Sequence, residues 1–160
     1  MKTLNTRRIA ANGITAGLYA AVTLLTASFA YGPVQLRIAE ALSVLCCFSP
    51  SMTVGITLGC LLANIFSAAP LMDMVIGTAA TLLACLWMTR IRRAWLLPLP
   101  NVLLNGILVG GELAWLTDAF LPTFPLYAAQ VAAGELIVMV ALGLPLYHYL
   151  KKSRLTEKIL

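Results

Sequence analysis

Three glutamates, Glu40, Glu112 and Glu135, fall inside stretches that are otherwise almost wholly apolar. A charged side chain inside a bilayer costs between about 3 and over 10 kcal/mol, so an acid kept there calls for a function, such as capturing a polar solute or carrying a proton. Around them stand polar and aromatic residues at helical spacing. Asn101, Asn105, Glu112 and Trp115 are separated by four, seven and three residues, which stacks them on one helix face as a polar stripe ending in an aromatic ring. Tyr127, Val131 and Glu135 share a face in the same way, and Thr57, Asn64 and Ser67 run along one side of a third segment, with Asp73 just beyond it. Interhelical hydrogen bonding is the alternative use for Asn64 and Asn105.

Gln35, Arg37 and Glu40 form a fourth group. Arg37 is three residues before Glu40, a spacing suited to an ion pair, so this group reads either as a brace for an entrance loop or as a direct ligand contact.

Other chemistries find no support. No G-x-x-x-x-G-K-[ST] loop is present to bind ATP phosphates. The single histidine, His148, lies beside the basic C-terminal tail, and no nucleophile triad can be assembled with it. Cysteines 46, 47, 60 and 85 sit in apolar runs without CxxC spacing, so neither a metal site nor a disulfide framework is expected, and no cofactor is called for. The formal charge of +5 resides at the chain ends and in one internal cluster, which argues against nucleic acid as a partner.

The elements that must position these residues follow from composition. With 61% hydrophobic and only 11% charged residues, the chain is suited to lipid rather than water, and it reads as one transmembrane domain over 1–160. Ten of the eleven Lys and Arg residues occur in three clusters: Lys2, Arg7 and Arg8; Arg90, Arg92 and Arg93; and Lys151, Lys152, Arg154 and Lys158. Basic residues accumulate in short cytoplasmic segments. If all three clusters are cytoplasmic, the stretch between the first two suits four crossings and the next suits two.

Turn signals at Tyr31-Gly32-Pro33, Ser49-Pro50-Ser51, Ala69-Pro70, Pro98-Leu99-Pro100 and Pro122 to Pro125 agree with that division. The expected architecture is therefore an all-α membrane protein, a six-transmembrane-helix bundle with cytoplasmic N- and C-termini. Its helices are predicted near 8–30, 36–49, 51–68, 71–90, 99–119 and 125–150, the second short for a full span and suited to a tilted or re-entrant course. Glu112 and Glu135 then lie roughly 9 and 15 Å below the outer surface. The apolar run from Ile9 to Ala30 exceeds the core of a signal peptide and is expected to be a helix of the mature protein.

Helices in lipid approach closely through small residues. Gly13, Ala16, Gly17, Ala20 and Ala21 give the first helix two such seams, while Gly55/Gly59 and Gly106/Gly110 give the third and fifth one each. Packing inside the bundle accounts for most of them, leaving a surplus seam on the first helix to face another protein.

Residues Gly32 to Leu42, reading GPVQLRIAEAL, resemble the GP-[IV]-Q-[FLV]-R-I-[SA]-E-A-L signature of the QueT family. The similarity continues through Leu58 to Ser67, Asp73 to Leu82 (D-x-x-x-G-[ST]-x-A-T-L), Pro100 to Asn105 and Gly134-Glu135, and so covers nearly the whole chain. The resemblance implies the substrate-binding S component of an energy-coupling-factor (ECF) importer for queuosine precursors, a non-catalytic subunit. It also implies a six-helix bundle in the cell membrane and three partners: a transmembrane T component and two cytoplasmic ATPases. In such subunits an A-x-x-x-A seam docks the T component, and Ala16 and Ala20 match it.

The implied ligand, 7-aminomethyl-7-deazaguanine, makes demands that can be set against these residues. Its ring N–H and exocyclic amine are parallel donors suited to one carboxylate, and its cationic aminomethyl group suits a second. Its flat ring calls for aromatic or apolar walls. Glu112 and Glu135 fit the first two demands, in either order; Trp115 and Tyr127 fit the walls; and Asn64, Asn105 or Gln35 fit the carbonyl and ring nitrogens. Two carboxylates favour this amine over its nitrile precursor, which lacks the cation, and leave the free queuine base open. The competing readings are a proton-coupled secondary transporter using Glu112 and Glu135, a membrane enzyme acting on a lipid, for which no interfacial acid-rich or metal-binding motif exists, and a structural subunit, which leaves three buried glutamates without a task.

Overall fold

The computed structural model describes residues 6–32, 34–117 and 119–153; Lys2, Pro33, Arg154 and Lys158 of the sequence features above lie outside them. Within these residues the fold is all-helical, and its helices are long because little interrupts their apolar runs. The first, α1, spans Thr6–Leu25 and is followed after Thr26 by a single turn, Ala27–Ala30. A 3₁₀ helix, Ile38–Cys47, leads to α2, Met52–Asn64. Then come α3, Pro70–Met88; α4, Pro98–Trp115; and α5, Phe120–Ser153. Helices α1, α3 and α5, and α4 together with its lead-in from Ala94, are long and apolar enough to cross a bilayer, whereas the 3₁₀ helix and α2 are shorter apolar elements.

Several sequence expectations are revised. The segment expected near 36–49 is a 3₁₀ helix rather than an α-helix. Its period of three fits the sequence, because Arg37, Glu40, Ser43 and Cys46 fall in one column and all are buried. The run expected as one helix over 8–30 breaks at Thr26, whose hydroxyl bonds back to the Val22 carbonyl. Pro122 and Pro125, read as a connection, lie within α5: Pro122 is in the first turn, where a missing N–H costs least, whereas Pro125 is inside the helix and leaves the Leu121 carbonyl without its usual donor; the connection is correspondingly earlier and shorter. Pro98 and Pro100 open α4 for the same reason.

Polarity is arranged inside out. Ile14, Leu25, Leu71 and Leu121 are among many large apolar side chains left exposed, while Glu40, Asn64, Asn101 and Asn105 are buried. That is the distribution lipid requires. Close helix contacts rest on glycine. A side chain at Gly55 or Gly59 of α2 would meet Asn12, Ala16 and Tyr19 of α1, and the Gly55 N–H donates to Asn12 Oδ1 at 2.7 Å. Gly106 and Gly110 likewise seat α4 against Ala128 and Ala132 of α5, the most extensive helix pairing in the fold. Both seams are therefore internal. Helices α3 and α5 each contain a π turn, Asp73–Gly77 and Met139–Gly143.

Candidate functional site

The buried polar residues divide into a satisfied set and an unsatisfied one. Glu40, fully buried, is satisfied: Tyr19 Oη donates to its Oε1 at 2.5 Å, Thr81 Oγ1 to the same oxygen at 2.9 Å, and Asn101 Nδ2 to Oε2 at 2.9 Å. Four elements, α1, the 3₁₀ helix, α3 and α4, thus meet on one carboxylate. Sequence reasoning placed Asn101 on a polar stripe but gave Tyr19 and Thr81 no role, although Thr81 is the fixed threonine of the Asp73 to Leu82 pattern. Glu40 is a structural junction. The ion pair expected with Arg37 is absent: among the described residues its side chain donates only to Cys60 Sγ, at 3.7 Å, and its cation lies over the Tyr31 ring, 5.8 Å from the centroid.

The second set adjoins Arg37. Its guanidinium is buried, yet Nε and Nη2 have no hydrogen-bond partner among the described residues. Asn64 donates from Nδ2 to the Asp73 carbonyl at 2.8 Å and to Thr78 Oγ1 at 3.3 Å, leaving its Oδ1 unpaired. The π turn after Asp73 brings Gly77 against Asn64, and a side chain there would come within 3.9 Å of Asp73 Oδ1 and Arg37 Nη1. Such turns, which widen the helix by one residue, are frequent at functional sites. Asn105 Nδ2 donates to Glu135 Oε1 at 2.9 Å, while Asn105 Oδ1, Glu135 Oε2 and both oxygens of Glu112 are unpaired, as is the half-buried Gln130 Oε1. Asp73 lies beside Arg37 across Gly77, and Glu135 follows Gly134, which packs on residues 34 and 35, so Arg37, Asp73 and Glu135 border one region.

Buried polar atoms without partners cost on the order of 1–3 kcal/mol each, and a concentration of them points to a binding site. The Asn105 and Glu112 positions, seven residues apart on α4, are separated by about 10 Å along the axis. With Asn105 bonded to Glu135, Glu112 lies about two turns further along α4 from that pair.

The remaining expected residues distribute as follows. Trp115 leaves the stripe: it is 69% exposed at the end of α4 and meets Phe120 edge-on, because α4 stops there and three residues place it 60° around from Glu112. Tyr127 is half-buried, its backbone against Gly110. Gln35 is buried, in a left-handed conformation (φ 47°), and its carbonyl accepts from the Arg37 N–H at 2.8 Å. Residues 34 and 35 press directly on Gly134, where any side chain would collide with the Val34 carbonyl. Ala16 faces Gly59 and is buried, contrary to its expected place on a partner-facing seam, and Ala20 is half-buried; Gly13, Gly17 and Ala21 are exposed. Among the described residues no group of acids, histidines and cysteines is disposed to hold a metal ion.

A family model, that of the QueT transporter, matches residues 9–152. The chain belongs to the QueT transporter family. It is a multi-pass protein of the cell membrane, with four helical stretches long and apolar enough to span. One similar protein is the queuosine precursor transporter QueT of Lactococcus lactis subsp. cremoris (strain MG1363), 31% identical over 84 residues, which make up 51% of this chain and 49% of that protein. The chain thus aligns with about half the length of that relative. No solved structure matches. In this chain the GPVQLRIAEAL segment supplies both the Glu40 junction and the unpaired atoms of Arg37.

Proposed function

We propose that this chain is the substrate-binding membrane subunit of an ECF importer and captures a queuosine precursor of the 7-aminomethyl-7-deazaguanine type from outside the cell. One observation carries the reading: among the described residues, carboxylate oxygens of Glu112 and Glu135 and amide oxygens of Asn64 and Asn105 are buried without hydrogen-bond partners. The set is rich in acceptors, so its ligand must be rich in donors and preferably cationic. A bicyclic base with an aminomethyl arm, hydrogen-bonded at each end, spans on the order of 10 Å, which suits the axial separation of the two carboxylates. The curated relative's description as a queuosine precursor transporter supports the same ligand class.

In this reading the chain crosses the membrane six times with both ends in the cytoplasm, the 3₁₀ helix and α2 serving as the two short crossings. It supplies affinity, while a T component and two ATPases supply the energy for reorientation and inward release. The exposed Gly13, Gly17 and Ala21 face of α1, with Ala20 at its margin, is where the T component docks, since the Ala16 side of the helix is occupied by α2.

The test is equilibrium binding of 7-aminomethyl-7-deazaguanine to the purified chain in detergent, with its nitrile precursor and guanine as comparators. Tight binding that prefers the amine, and that falls by about 10- to 100-fold in Glu112→Gln or Glu135→Gln, is expected from the loss of one bond to a charged group. Absence of binding to all three compounds by a folded sample refutes the assignment.

A further inference from the structure

Arg37 poses a problem that the carboxylate sites do not solve. It is a cation buried to 2% exposure, and among the described residues its nearest recorded partners are a sulfur atom and an aromatic face. Its neighbour in the 3₁₀ column, Glu40, is committed to Tyr19, Thr81 and Asn101 and leaves it unpaired. A guanidinium so placed is costly unless something else accepts from it.

The unpaired atoms are Nε and Nη2. These two lie on the same long edge of the guanidinium and point parallel N–H bonds at a single spot, whereas the atom already engaged, Nη1, lies on the opposite side. Such an edge fits a carboxylate, a phosphate or one strongly accepting carbonyl oxygen. The surroundings choose among them. Asp73 lies beside Arg37 across Gly77, and Glu135 follows Gly134, which packs on residues 34 and 35, so an anionic ligand group would face these acids as well as the one arginine. A neutral carbonyl meets no such repulsion.

We infer that Arg37 is the specificity-determining residue of this site, its Nε–Nη2 edge receiving the carbonyl oxygen of a cationic ligand whose donors face the glutamates. The inference rests on the proposed site and deepens it: the ligand class becomes a carbonyl-bearing, lactam-type base, and bases with a hydrogen, an amine or a sulfur at that position are discriminated against. The Glu40 junction takes part by holding the 3₁₀ helix three residues further on, so that the Arg37 edge is fixed before a ligand arrives.

The experiment compares 7-aminomethyl-7-deazaguanine with its 6-thio analogue, which keeps the ring N–H, the exocyclic amine and the aminomethyl cation but exchanges the accepting oxygen for weakly accepting sulfur. Binding of both is measured to the wild-type chain, Arg37→Lys and Arg37→Gln, each checked for folding by its thermal transition. The wild type is expected to prefer the oxo compound by on the order of 10- to 100-fold. Arg37→Lys, which keeps the charge but not the forked edge, is expected to lose most of that preference, and Arg37→Gln all of it, with affinity for the thio compound much less affected. An oxo-to-thio ratio near one in the wild type overturns the inference without recourse to any variant. So does an unchanged ratio in a folded Arg37→Lys. Failure of the wild type to bind either compound is a different outcome, which removes the proposed ligand and the inference with it.

Discussion

Replacing Tyr19 with Phe removes one oxygen atom from the middle of the bundle, and its effect can be worked out in advance. The phenol donates to Glu40 Oε1 at 2.5 Å, and the ring is fully buried between α1 and its neighbours. Phe keeps the ring packing, and Oε1 keeps the Thr81 hydroxyl at 2.9 Å, so no acceptor is orphaned. The loss is then one hydrogen bond to a carboxylate, about 1.5–3 kcal/mol. For a chain of this length each kcal/mol moves the thermal midpoint by about 2–4 °C, which gives a fall of roughly 3–12 °C.

Glu40→Ala should be more severe, because all three donors lose their carboxylate at about 1–3 kcal/mol each; Tyr19 is left unpaired, and Thr81 and Asn101 keep only longer contacts, to Cys60 Sγ at 3.3 Å and Ser43 Oγ at 3.3 Å. The assay is thermal unfolding of the purified chain in detergent, with ligand affinity measured well below the transition. Tyr19→Phe should be less stable yet retain binding to within a few-fold, since Tyr19 touches no unpaired site atom. A midpoint unchanged to within about 1 °C would refute the reasoning, because it would mean that the Tyr19–Glu40 contact adds nothing to holding the four elements together.

Gly134→Ala should force the 34–37 segment away from α5, because the new methyl group meets the Val34 carbonyl; ligand affinity is expected to fall at least about 10-fold with helical circular dichroism retained. Gly59→Leu should prevent α1 from seating on α2 and lower the thermal midpoint or the yield of folded protein, whereas Gly17→Leu projects into open space and should leave folding and ligand binding intact. If the exposed face of α1 receives the T component, Gly17→Leu nevertheless abolishes uptake by cells, and uptake at the wild-type rate would remove that face from the docking scheme. Liposomes containing this chain alone should show no ligand uptake driven by a pH gradient; uptake under those conditions would establish the proton-coupled transporter instead.

Much of the architecture is written in period and punctuation. Prolines 70 and 98 open α3 and α4 close to the expected points, and the polar stripe of Asn101, Asn105 and Glu112 is buried along one face of α4 as its spacing requires. What spacing does not convey is which neighbour answers each polar group. Arg37 and Glu40 satisfy the local rule for an ion pair, yet Glu40 is claimed by residues 21, 41 and 61 positions away, a tertiary fact with no local trace. Trp115 was lost from the stripe because the end of a helix cannot be read to a single turn. The two seams on α1 differ by about 100° in direction, and only the position of α2 decides that Ala16 faces inward and Gly17 outward.

The 3₁₀ column of Arg37, Glu40, Ser43 and Cys46 bears on how this stretch of the gene can vary. With three residues per turn, inserting or deleting one residue rotates everything beyond it by 120° and would put Ala39 or Ala41 where the Glu40 carboxylate now stands. Removing three residues restores the column and shortens the element by only about 6 Å. Length changes tolerated here should therefore come in steps of three codon triplets, whereas a solvent-exposed loop would accept any number.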